Sequence, residues 1–117
     1  MLKLNKTFSL IKKRKDFIEI SKSDLKWVCP AFIMQIKKRD DDQNRIGFTV
    51  SKKASKRAVD RNRIKRRLRS LAKDNLNENV KSGLDIVFIG RKMTLDIDYE
   101  EMIKSIKHCL KRLDLSK

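Results

Sequence analysis

The residues best equipped for chemistry in this chain are cations. Arg61, Asn62, Arg63, Ile64, Lys65 and Arg66 run consecutively, Lys52 and Lys53 precede them, and Arg69 follows one turn later. Guanidinium groups present planar, multi-donor faces that match phosphate oxygens, and lysines add point charges. The chemistry on offer is therefore the binding of a polyanion. Bond-breaking chemistry finds little support, because His108 is the only histidine and has no recognisable acid or nucleophile partner. Cys29 and Cys109 lack zinc-ligand spacing, and three scattered glycines cannot make a phosphate loop.

A helix must position the cations. Asp60, Ile64, Leu68, Leu71 and Ala72 recur at helical spacing, with Ser55 as the expected N-cap. With Ile64 at zero, Asn62, Arg66, Arg69 and Lys73 gather near 180°, Arg63 and Lys65 flank them, and Arg61 lies about 60° from the apolar stripe. One side suits a core, and the other is a cationic surface. Immediately before it, Ile46, Phe48 and Val50 alternate with Gly47, Thr49 and Ser51, the period of a half-buried strand.

The charge distribution agrees. The chain of 117 residues carries 31 Lys+Arg against 15 Asp+Glu, a formal +16. Residues 1–15 hold six cations and no acid, residues 51–73 hold eleven cations and one acid, and the remainder balances at 14 of each sign. Two basic blocks around a neutral body point to nucleic acid. A membrane surface fits less well, since the apolar side of the basic helix is needed for a small core. Without a secretory segment or a membrane-spanning run, the cysteines read as reduced thiols of a cytoplasmic protein.

One domain is expected over residues 10–117, with residues 1–9 a flexible basic segment that orders on RNA. A short helix is predicted over 12–21 and a strand over 31–37, which pairs with the strand at 45–51 as a hairpin. The acidic triplet at 40–42 reads as a solvated turn. An inner strand follows at 84–89, and a helix from Asp98, with Glu101 completing a capping-box variant, carries Met102, Ile103, Ile106, Leu110 and Leu113 on one stripe. His108 falls opposite that stripe, toward solvent. The order α-β-β-α-β-α describes an α+β two-layer sandwich, a small mixed sheet with helices, in which the strands flanking the basic helix are parallel.

Arg45, Gly47, Val50, Ser51, Lys52, Lys53, Ala58 and the run from Arg61 to Arg66 resemble the defining region of the bacterial ribonuclease P protein subunit. The similarity extends from about Leu10 to Leu113 and includes the Asp16-Phe17 pair. The resemblance implies a left-handed β-α-β crossover through the basic helix, although such connections are right-handed in about 98% of cases. It also implies a partner, the catalytic RNA of ribonuclease P, and a reaction, removal of the 5′ leader from precursor tRNA, with Mg²⁺ held by that RNA doing the chemistry. Lys52, Lys53, Arg61, Asn62, Arg63, Lys65, Arg66 and Arg69 would then face the RNA subunit. Phe17, Ile33, Gln35 and Thr49 would line the leader cleft, so Phe17 has two readings, core and cleft. Ser21 and Gln35 stand where family members often have aromatic residues, so the resemblance implies a cleft with two fewer stacking platforms. The protein itself is expected to be monomeric without RNA. Two rivals are a ribosomal or other structural RNA-binding protein, which would co-purify with ribosomal subunits, and a nuclease active without RNA.

Overall fold

The computed structural model describes residues 3–117. Five strands and three helices follow one another: β1 (Phe8–Leu10), α1 (Arg14–Ser21), β2 (Leu25–Val28), β3 (Phe32–Lys38), β4 (Asn44–Val50), α2 (Ala58–Asn75), β5 (Leu84–Gly90) and α3 (Tyr99–Arg112), with a 3₁₀ turn at Lys92–Leu95 before α3. The strands form one mixed sheet in the order β1-β4-β5-β3-β2. The fold is α+β, as expected, and β4 and β5, which flank the basic helix, are parallel.

The expected hairpin between the strands at 31–37 and 45–51 does not form. β5 lies between them, antiparallel to β3 and parallel to β4. Six of its seven residues are buried, so the apolar run from Leu84 fills the middle of the sheet, where both faces are covered. The turn at 39–43 has to cross two strand spacings, about 10 Å, which a five-residue link does easily.

Two strands escape sequence reading because they are short edges. β2 adds to β3, and β1 adds to β4 in parallel. Of the segment expected to be loose over residues 1–9, residues 1 and 2 lie outside the described residues, and Lys3 and Lys6 are exposed. Leu4 and Phe8 are buried. Asn5 makes this possible: its Oδ1 accepts from the backbone N–H of Thr7 and Phe8, both at 2.9 Å, and its Nδ2 donates to the Leu76 carbonyl at 2.8 Å. Such side-chain turns satisfy the backbone where no ladder can.

The main core lies between the sheet and two helices. Phe32, Met34, Ile36, Ile46, Phe48, Ile86 and Phe88 project from one face onto Ile64, Leu68 and Leu71 of α2 and Met102, Ile106 and Leu110 of α3. Gly90 lets α2 lie close, because a Cβ there would stand 2.4 Å from Ile64 Cγ2 and 2.7 Å from Val50 Cγ2. The opposite face carries a smaller cluster, Ile11, Ile20 and Val87, with Phe17 and Ile89 against it.

Both expected helix caps are corrected. α2 begins at Ala58 rather than after Ser55, and Arg57 precedes it without a side-chain cap. At α3, the Asp98 carbonyl, not its side chain, accepts from the N–H of Glu101 (3.0 Å) and Met102 (3.2 Å).

Cys29 and Cys109 are free thiols, and both are buried. Burial pushes the Cys109 thiol up to about 12 from its ordinary value of 9.0. The fold favours the neutral form, so this contribution to stability is intact below about pH 9 and is lost as pH rises toward 12. Iodoacetamide should therefore label Cys109 in urea but not in the native protein at mildly alkaline pH, a contrast read directly by mass spectrometry.

Candidate RNA interface

α2 is an eighteen-residue helix whose inner stripe is Ile64, Leu68, Leu71 and Ala72. That stripe, locked over Gly90, fixes the direction of the opposite face. There Asn62, Arg63, Arg66, Arg69 and Lys73 are all exposed. Arg63 has only a long contact to Asp60, 3.9 Å, with 62% of its side chain open. Arg66, Arg69 and Lys73 enter no ion pair among the described residues. The Arg69 guanidinium lies 5.8 Å from the centroid of the Phe48 ring, which steadies it without consuming its charge. Four cations on one rigid rod thus keep their donors unspent.

The arginines flanking the apolar stripe behave differently. Arg61 was expected to reach outward, but its Nη1 donates to the carbonyls of Ser55 (3.0 Å) and Lys56 (2.9 Å). It braces the link between β4 and α2, on whose turn Lys52 and Lys53 are exposed. Arg67, which sequence reasoning passed over, donates to the Thr94 carbonyl at 2.7 Å and to that of Ile97. Thr94 is itself buried and donates to the Ala31 carbonyl at 2.6 Å. Arg67 therefore fastens the turn before α3 to the basic helix. Its position about 60° from Ile64, mirroring Arg61, was the available signal.

On the other face of the sheet, α1 and the strands enclose an open cleft of about 540 Å³. Phe17, Gln35 and Thr49 line it, and Lys12, Arg14 and Lys65 stand around them. Lys65, half-buried on the flank of α2, stands at the cleft wall. Ile33 shares a face with Gln35 but is not part of the lining. Phe17 takes part in both the packing and the cleft. Its ring packs with Ile11, Ile20 and Val87, yet it is only half-buried and lines the cleft. Gly47 is the reason it fits: a Cβ there would stand 2.6 Å from Phe17 Cε1 and 2.7 Å from Cζ. Gly47→Ala should accordingly displace the ring, changing aromatic chemical shifts while α2 and α3 keep theirs.

Gln35 is only 9% exposed and lines the cleft. Its amide supplies the cleft with a polar donor and acceptor.

Beside the cleft lies a chain of ion pairs. Asp85, 4% exposed, accepts from Arg45 Nε (2.8 Å) and Nη2 (2.9 Å) and from Arg39 Nη1 (3.0 and 3.2 Å). Arg45 Nη1 also reaches Asp16 of α1 at 3.2 Å, and Arg39 holds Asp41 at 2.8 Å. The hydrogen bonds from Arg39 hold the Asp41 carboxyl down at about 2. Asp85 raises Arg45 above its ordinary value. Among the described residues no group of His, Cys, Asp and Glu is placed to hold a metal ion. His108 is exposed and lies against Trp27, with ring centroids 5.3 Å apart. No helix among the described residues is long and apolar enough to cross a membrane.

The sequence profile of the family described as Ribonuclease P matches residues 5–114. The chain belongs to the ribonuclease P protein family. It is 37% identical over 106 residues to the ribonuclease P protein component of Clostridioides difficile, covering 91% of this chain and 92% of that one. With the component from Alkaliphilus oremlandii it shares 36% over 110 residues, 94% and 95% of the two chains. Its fold is similar to that of the Staphylococcus aureus RNase P protein, with a TM-score of 0.73, 30% identity and coverage of 92% and 97%. The RNase P protein from Thermotoga maritima is similar at a TM-score of 0.72 and 28% identity, with 89% and 96% covered.

Proposed function

We propose that this chain, as the protein component of ribonuclease P, binds the catalytic RNA through the outer face of α2 and the 5′ leader of precursor tRNA in the cleft under α1. The observation that carries this reading is the division of labour on α2. Arg61 and Arg67 are committed to backbone carbonyls, whereas Arg63, Arg66, Arg69 and Lys73 hold their donors outward with no close internal partner among the described residues.

The cleft suits a single strand. Phe17 offers a stacking surface, and base stacking is worth roughly 1 to 3 kcal/mol. Lys12, Arg14 and Lys65 answer the leader phosphates, while Gln35 and Thr49 offer hydrogen bonds to base edges. No carboxylate is among the residues lining the cleft, and Mg²⁺ is assigned to the RNA, as the family resemblance implies. When bound there, the metal supplies the activated water for phosphodiester hydrolysis. This chain's part is to bind and orient. The protein works in the cytoplasm and is monomeric before it meets RNA.

Phe17→Ala tests the cleft in the reconstituted holoenzyme. Loss of one stacking platform should weaken precursor tRNA binding about tenfold, within the range of a single base-aromatic contact, and leave mature tRNA affinity unchanged. Equal losses on both would return Phe17 to a purely structural role.

A further inference from the structure

We propose that Asp16 and Arg45 are positioning residues for the leader cleft, their ion pair setting where α1 sits on the sheet and hence where Phe17 stands. The proposal rests on the cleft reading above and extends it to residues that do not touch the ligand.

α1 has little else to place it. It is eight residues long, lacks a side-chain N-cap, and contributes one fully buried residue, Ile20. A helix so short does not hold itself in water, so its seat is decided by tertiary contacts. At its far end, the Ser23 hydroxyl donates to the Ile36 carbonyl. At its near end the contacts follow the period of β4. Arg45 and Gly47 are alternate residues on one face of that strand, and consecutive residues of α1 rest on them, Asp16 on Arg45 and Phe17 on Gly47.

Arg45 is a fixed point rather than a mobile surface cation. Two of its nitrogens are taken by the buried Asp85, which also takes Arg39, and Arg39 in turn is tied to Asp41 in the turn at 39–43. That leaves Nη1 for Asp16 at 3.2 Å. Asp16 is the only member of the relay on α1, so removing its charge frees the helix while Arg45 stays paired with Asp85. Lys12 and Arg14, on the cleft wall just before Asp16, would move with it.

The pair is partly solvated, its side chains 23% and 27% exposed, and as a single contact it contributes less to stability than the pairs of the buried Asp85. Its value is geometric, and the test separates the two. Asp16→Asn, Asp16→Glu and Phe17→Ala are each assembled with the RNA subunit and assayed on leader-bearing precursor tRNA and on mature tRNA. The Gly47 Hα resonance, shifted by the Phe17 ring, is followed in the free full-length protein. Asp16→Asn should raise KM for the leader-bearing substrate about two- to fivefold, with kcat, mature tRNA affinity and RNA-subunit affinity unchanged, and should move the Gly47 resonance. Asp16→Glu should restore most of both. The proposal is overturned if Asp16→Asn leaves KM and the Gly47 resonance at their wild-type values while Phe17→Ala raises KM. It is equally overturned if Asp16→Asn weakens RNA-subunit binding or mature tRNA binding to the same degree. Should Phe17→Ala itself be without effect on the leader-bearing substrate, the cleft reading falls and this role falls with it. A Gly47 shift in that case would report the ion pair's hold on Phe17 alone.

Discussion

Replacing Arg63, Arg66 and Arg69 together with alanine should reduce affinity for the RNA subunit by roughly a hundredfold at moderate salt, at about 1 kcal/mol or slightly more per charge-assisted contact. The same variant should flatten the log-log dependence of affinity on salt by about two, since each lost phosphate contact removes roughly 0.7 to 0.9 from the slope. Folding should survive, because all three side chains are exposed and none makes a close ion pair among the described residues. Arg61→Ala is the informative contrast. Its Nη1 is spent on Ser55 and Lys56, so the slope should change less than for Arg66→Ala alone, even where affinity falls through loosening of the link. Unchanged salt slopes in the triple variant would remove α2 from the interface.

The largest loss of stability is expected at Asp85. This carboxylate takes two hydrogen bonds from Arg39 and two from Arg45, whose side chains are only 19% and 23% exposed. Asp85→Ala leaves two neighbouring guanidinium groups without their shared counter-charge. Breaking a buried pair from one side costs about 3 kcal/mol or more, and the partial exposure of both arginines holds the expectation near the lower figure. For a domain of this size that is a fall in Tm of about 10 °C, readable by calorimetry. Asp16→Asn, which leaves the Asp85 pairs intact, should change Tm by no more than about 2 °C. Equal shifts in the two variants would mean that Asp85 is not the centre of the relay.

Periodicity carried a good part of this molecule and failed for identifiable reasons. Ile64, Leu68, Leu71 and Ala72 are buried as their spacing requires, and so are Met102, Ile106 and Leu110 of α3. The outward direction of Arg63, Arg66 and Arg69 follows from the same wheel. What a wheel cannot contain is the identity of a distant partner. Arg67 meets carbonyls 27 and 30 residues away, and nothing in its local sequence says so. Strand order was hidden for a related reason. Alternation gives each strand a face, but the insertion of β5 between β3 and β4 is decided by the burial of Leu84, Ile86, Val87 and Phe88 on both faces of the sheet. β1, at three residues, is too short to show a period at all. In the cleft, Phe17, Gln35 and Thr49 came from family resemblance. Gly47's role as the seat of Phe17 is visible only with the coordinates.

The central claim is that this chain grips and orients while the chemistry belongs to its RNA. The direct measurement is cleavage of precursor tRNA at low Mg²⁺ by the purified protein, by the RNA subunit, and by the two together. The account predicts leader removal at the mature 5′ end only when both are present, with a 5′ phosphate left on the tRNA. Cleavage by the protein alone would contradict it.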